Sequence, residues 1–307
     1  MILSCGEALI DMLPRSSTLG EAAFAPYAGG AVFNTAMALG RLGAPSGFFS
    51  GISNDMLGEI LADTLTASNV DISLCARSDR PTTVAFVKLV NGQATYAFYD
   101  EGTAGRMLAL ADLPSLGDEI EAVFVGGICL VNDPAASTYE ALQAREAPLR
   151  VTMIDPNIRP GFIAGKEVEY RARIERMVAR ADIVKLSDED LHWLGGAGDL
   201  VGLARGILAK GPSVVFITEG AAGARAVTAS QDRFVAAQKV TVVDTVGAGD
   251  TFNAGVLAAL HQAGALSKAR VASLTDAELD AALSLGTRAA AVTVSRAGAN
   301  PPWANEL

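Results

Sequence analysis

The chain has 307 residues, half of them hydrophobic, few of them aromatic, with a formal net charge of −10. That length supports a large core in one α/β domain, expected to span 1–307, and the acidic balance argues against a nucleic-acid surface. Cys5, Cys75 and Cys129 are scattered and lack metal spacing, the opening segment carries Glu7 and Asp11 without a basic leader, and no uncharged apolar run is bilayer-length, so a reduced, cytoplasmic protein without a membrane partner is expected.

In chain order, the segment after the first strand is Glu7-Ala-Leu-Ile-Asp11. It lacks the Gly-x-Gly-x-x-Gly turn that a nicotinamide dinucleotide fold places there, which removes an oxidoreductase of that kind. Gly29-Gly30 reads as a turn that lets a ligand approach the backbone, with Asn34 in the first turn of the following helix. Residues Thr82 to Val90, Asn91-Gly92, and Gln93 to Tyr99 read as a β-hairpin, because Asn-Gly favours a primed turn. Its expected partner is the stretch from Asp11 to Tyr27.

Short apolar runs follow at Val123–Gly127, Val151–Asp155, Ile183–Leu186 and Val214–Thr218. They alternate with helical stretches at Lys166–Arg180, Asp199–Lys210 and Ala277–Val292. This alternation predicts a parallel sheet covered by helices on both faces, with ligands beyond the carboxyl ends of its strands. Asp155, Ser187 and Thr218 stand at that edge. Arg159 follows it, either as a surface side chain before Pro160-Gly161 or as a guanidinium fork for phosphate oxygens. Ser187-Asp-Glu189-Asp190 has the pattern of a helix capping box. Thr218-Glu-Gly220-Ala-Ala-Gly223 is a tight turn whose small residues also suit a nucleotide. His192 and His261 have no partner pattern.

Asp244-Thr245-Val-Gly247-Ala248-Gly249-Asp250 carries the most chemistry. Small residues before a small, apolar helix make an anion-binding turn, since a helix N-terminus presents unpaired N–H groups and partial positive charge. Asp250 repels a phosphate there. It either caps the helix or stands beside the reacting centre as a base that takes a proton from a substrate hydroxyl.

This heptad resembles the second signature of the ribokinase-like (PfkB) sugar kinases. Gly29-Gly30-Ala-Val-Phe-Asn34 through Gly43, continuing over Gly51–Gly58, resembles the first, and the likeness extends from Ile2 to about Pro301. The resemblance implies a three-layer α/β/α fold with a mainly parallel sheet and a small β lid built from excursions at 11–28 and 82–104. It makes Asp250 the general base, the backbone of Gly247, Ala248 and Gly249 the anion hole, and Arg159 a phosphate contact. Asp11, Gly29, Gly30, Asn34 and Phe98 become the sugar set. Ser187, Thr218, Gly220, Gly223, Thr245, Gly247, Gly249 and Asn253 fall beside ATP.

Ser187–Asp190 aligns with the family's Asn-x-x-Glu motif but departs from it at both ends, so either Glu189 or Asp190 serves Mg²⁺, through water. Near Asp244, some relatives hold a monovalent cation such as K⁺. The opening Gly6–Pro14, Phe98–Ala104 and Asp155–Arg159 resemble bacterial fructokinases, which implies transfer from MgATP to the 6-hydroxyl of D-fructose. A 2-keto-3-deoxygluconate kinase is the nearest alternative, with ribose and nucleoside kinases behind it. A catalytically silent sugar-binding protein is the reading from another class. A homodimer through an apolar lid face of Phe24, Tyr27, Phe86 and Phe98 is a further expectation.

Overall fold

The computed structural model describes the backbone of residues 1–90 and 93–307, and side chains outside 88–96. The Asn91-Gly92 turn therefore lies outside the described residues. The apolar runs assemble into one nine-stranded sheet. Its order is Asp232–Ala236, Gly223–Val227, Val214–Thr218, Ile183–Ser187, Val151–Asp155, Ala122–Gly126, Ile2–Cys5, Ser46–Phe49, Val70–Asp71. From Val214–Thr218 onward every neighbouring pair is parallel, and the first two strands join antiparallel.

Successive side chains of a strand point to opposite faces, and the core divides accordingly. Ile2, Phe124, Met153, Ile183 and Phe216 pack on one face with helices Ala31–Arg41, Ala248–Gln262 and Asp276–Val294. Leu3, Val125, Ile154, Val184 and Ile217 pack on the other with helices Ala135–Glu146, Glu167–Arg180 and Leu200–Leu208. These strands are buried on both faces, which explains why they read as continuous apolar runs. The helix after the Gly turn is buried from Asp250 to Leu260. It lies so close to Asp276–Val294 that a Cβ on Gly255 would meet the Gly286 Cα at 2.5 Å. Among the described residues no helix is long and apolar enough to cross a membrane.

A second sheet has the order Ala22–Gly29, Leu9–Ser16, Val84–Val90, Gln93–Tyr99. Its register places Asp11 opposite Tyr27 and Ala85, and Ala85 opposite Phe98. Paired residues share a face, so Asp11, Tyr27 and Phe98 point one way. Phe24, Phe86 and Tyr99 point the other, with Phe24 and Tyr99 edge-on to Phe86 at 5.1 and 5.8 Å. The single apolar face expected from Phe24, Tyr27, Phe86 and Phe98 is thus corrected. A period of two divides them between the sheet's two sides.

Candidate active site

The site forms where the carboxyl edge of the large sheet meets the inner face of the small one. Gly247 adopts φ 79°, a left-handed value that glycine takes without strain. A Cβ there would lie 2.8 Å from the Ala299 Cβ. Asp244 fixes this turn from both sides, accepting Val246 N–H at 3.0 Å and Gly298 N–H at 2.9 Å. The helix begins at Ala248 and carries Asp250 in its first turn, 8% exposed.

Two bonds lock Asp250 to the helix Ala31–Arg41. Asn34 Nδ2 donates to Asp250 Oδ2 at 2.9 Å, and the Thr35 hydroxyl donates to the Asp250 carbonyl at 3.1 Å. Burial raises the Asp250 pKa to about 7; the charges of Asp155 and Glu7 add to the rise, and the Asn34 bond and Lys185 oppose it. That value suits a carboxylate acting as a base near neutrality.

An open cleft of about 520 Å³ brings together Asp11, Gly30, Asn34, Phe98, Arg159 and the 245–250 turn. Burial raises the Asp11 pKa to about 6. A Cβ on Gly29 would sit 2.8 Å from Asp11 Oδ2, so Gly29 keeps the room that this carboxylate occupies. Gly30 has φ 115° and begins the helix Ala31–Arg41.

Ser187, Thr218, Gly220 and Gly223 are not in that cleft but on the adjoining strand ends, with Ser187 in register with Thr218. Gly223 has φ 142°, and a Cβ there would meet the Val235 carbonyl at 2.2 Å, so the neighbouring strand alone demands glycine. Asn253 is 1% exposed, with its amide donating to Asp155 Oδ2 at 2.7 Å. It lies outside the lining of the cleft. Ser187 and Asp190 form the capping box, and Asp190 also accepts Ile158 N–H at 3.1 Å, while Glu189 is exposed. Among the described residues no three His, Cys, Asp or Glu side chains converge as a metal cage.

Two charged residues without a sequence-assigned role stand in the cleft. Lys185 is 4% exposed, with Nζ 3.0 Å from Asp155 Oδ2. The same Nζ lies 3.1 Å from where a Cβ on Gly249 would be, directly against the anion-binding turn. Its signal in the sequence is a lysine inside the apolar run Ile183-Val-Lys-Leu186, since lysine is almost never fully buried unless paired. Glu7 accepts Ala31 N–H at 2.8 Å and Cys129 N–H at 3.3 Å, placing a carboxylate at a helix N-terminus. Glycine-turn reasoning does not reach it, because the contacting N–H groups come from distant segments.

The model of the pfkB family carbohydrate kinases matches residues 1–306. The chain belongs to that family. It is 62% identical, over 279 residues, to a fructokinase of Rhizobium leguminosarum bv. trifolii, covering 91% of this kinase and 85% of the relative. A double mutant of the Vibrio cholerae fructokinase, in a fructose, ADP and potassium ion bound form, superposes with TM-score 0.83 at 28% identity, covering 97% of this chain and 93% of that one. The fructokinase of Xylella fastidiosa with bound ATP gives TM-score 0.86 at 26% identity, with the same coverages. The kinase has the ribokinase-like α/β/α fold, and its reaction class is phosphoryl transfer to a sugar hydroxyl.

Proposed function

We propose that this kinase transfers the γ-phosphate of ATP to the 6-hydroxyl of D-fructose, with Asp250 as general base. The observation that carries the reading is the buried Asp250 carboxylate, held at the first turn of a helix and facing a cleft that also presents Asp11 and Asn34. The likeness to the Rhizobium fructokinase supports fructose as the acceptor. Asn34 engages Oδ2, so Oδ1 remains to take the hydroxyl proton. Asp11 and the backbone at Gly29-Gly30 orient the sugar. The N–H groups of the Gly247-Ala248-Gly249 turn, with Lys185 and Arg159, stabilise charge on the moving phosphoryl, which is the main work of such catalysts. ATP lies along the strand ends at Ser187 and Thr218 and the turn after Thr218.

The acidic floor suits a hydrated divalent ion brought in on the triphosphate, since Asp190 and Asp155 already hold protein donors and would reach an ion through water. Mg²⁺ held there would neutralise the phosphate oxygens. Both Asp244 oxygens hold backbone N–H groups, so this side chain shapes the loop whose carbonyls would cradle K⁺. The small sheet acts as a lid that excludes water from the transfer, within one unit spanning 1–307. Its outer face, with Phe24 and Tyr99 51% and 62% exposed, suits a second copy of the chain.

Coupled ADP release tests the reading. Turnover with D-fructose well above 2-keto-3-deoxygluconate, ribose and adenosine is expected, and a marked preference for another of these moves the substrate. The kcat/KM profile supplies a second check. The Asp250 pKa is raised, so the protonated, inactive form dominates below it. Activity rises with pH by about tenfold per unit up to a midpoint near 7, then levels. Asn34→Ala removes a bond that favours the charged form and shifts the midpoint upward. A profile flat between pH 5.5 and 8.5 contradicts the assignment.

A further inference from the structure

The acceptor cleft has a smaller neighbour, a chamber of about 40 Å³, enough for a water or two. It shares Glu7, Phe98, Ile128 and Phe162 with the cleft, while neither Lys185 nor the 245–250 turn lines it. It therefore adjoins the cleft on the side away from Lys185 and the 245–250 turn. Phe98 and Phe162 meet edge to face at the junction, 5.0 Å between ring centroids.

Arg106 lines the chamber and is the one cation among its described lining residues. It is already engaged. Nη1 lies 2.7 Å from Asp100 Oδ2, and Nε donates to the Asp133 carbonyl at 3.1 Å. The Asn132 amide donates to the same Asp100 oxygen at 3.4 Å. Glu7 adds a second carboxyl group to the wall. The chamber thus has no uncompensated positive charge.

We propose that this chamber receives the non-reacting, uncharged end of the sugar, and that Asp100, by neutralising Arg106, determines the preference for a neutral sugar over a sugar acid. The proposal rests on the sugar-kinase reading and deepens it. A hydroxymethyl group and a carboxylate are similar in bulk, so size does not separate them here, and charge does. A free guanidinium binds a carboxylate as a two-pronged fork. With Nη1 on Asp100 and Nε on the Asp133 carbonyl, each two-pronged edge of Arg106 already has one prong taken, and an incoming carboxylate meets the like charge of Asp100. Specificity built on a repulsive element needs no extra attraction for the favoured substrate.

The test is steady-state kinetics of Asp100→Asn, close in shape to the native side chain, with D-fructose and 2-keto-3-deoxygluconate. Freeing Arg106 raises the kcat/KM ratio of acid to fructose by at least about tenfold, the scale of one charged contact. Arg106→Gln leaves Asp100 without its counter-charge and moves the ratio the other way. It carries the test if Asp100→Asn does not fold. An unchanged ratio in the folded variants, or equal losses on both substrates, overturns the proposal. If the wild-type kinase ignores fructose but phosphorylates another neutral sugar, only the fructose reading fails, and the same ratio taken with that sugar decides the role of Asp100. A wild-type preference for the acid overturns both.

Discussion

Asp250→Asn is expected to lower kcat with fructose by about two to four orders of magnitude, the usual scale for loss of a general base. Sugar affinity, read by calorimetry, should stay within about twofold, because the proposed arrangement gives the acceptor to Asp11, Asn34 and the Gly29-Gly30 backbone. The substitution keeps the side chain's shape and removes a buried charge whose pKa is already raised to about 7, so folding is not the weak point. Asn34 complicates the substitution in an informative way. Its Nδ2 faces Asp250 Oδ2, and an Asn at position 250 turns its own oxygen to that donor, leaving its NH₂ toward the acceptor hydroxyl. The variant therefore retains the site's geometry but has no lone pair to take a proton. Retention of most of the turnover would remove Asp250 from the mechanism and leave it as a buried structural partner of Asn34.

Lys185→Met carries the second large effect, on two observables at once. The Lys185–Asp155 pair is 3.0 Å apart with side chains 5% and 3% exposed. Removing one partner of a buried pair leaves an uncompensated charge, with a cost of about 3–5 kcal/mol in unfolding free energy. Asp155 is moderated by its bonds from Asn253 and the Asn157 N–H, so the lower end is expected. Turnover also falls, by about two to three orders of magnitude, because the ammonium stands against the turn where phosphoryl charge develops. Lys185→Met combined with Asp155→Asn isolates the stability effect, with Asp155→Asn alone as the control for turnover. Removing both charges restores most of the stability in a thermal melt, yet turnover remains low. Recovery of activity along with stability would make Lys185 a structural counter-ion only.

The local chemistry of this kinase was legible because it is written in contiguous residues. The Gly247–Asp250 turn, the Gly29-Gly30 turn before Asn34, and the Ser187–Asp190 capping box depend on short-range backbone geometry, and the structure places each at the start of a helix. The strands were legible for a related reason. A parallel strand buried on both faces is apolar throughout, and Val151–Asp155 and Val214–Thr218 are observed with the expected bounds. The small sheet was harder. Hairpin pairing follows from a local turn, but which faces coincide depends on long-range register, and that separated Phe98 from Phe24 and Phe86.

The buried ion pair, the Glu7 contacts and the Arg106–Asp100 pair belong to another level. Lys185 and Asp155 stand on neighbouring strands, Asn34 and Asp250 on helices 216 positions apart, and the Glu7 carboxylate meets N–H groups at Ala31 and Cys129. A sequence lists these side chains without their partners, because burial and a partner's distance exist only once the chain has packed. By itself the sequence determined the family, the layered α/β architecture and Asp250 as the leading candidate base, through patterns of turn, cap and period that need only local geometry. The tertiary structure decided which charges meet, how far burial raises the pKa of that carboxylate, and which groups of the small sheet line the cleft, since desolvation and Coulomb interaction depend on distance in space rather than along the chain.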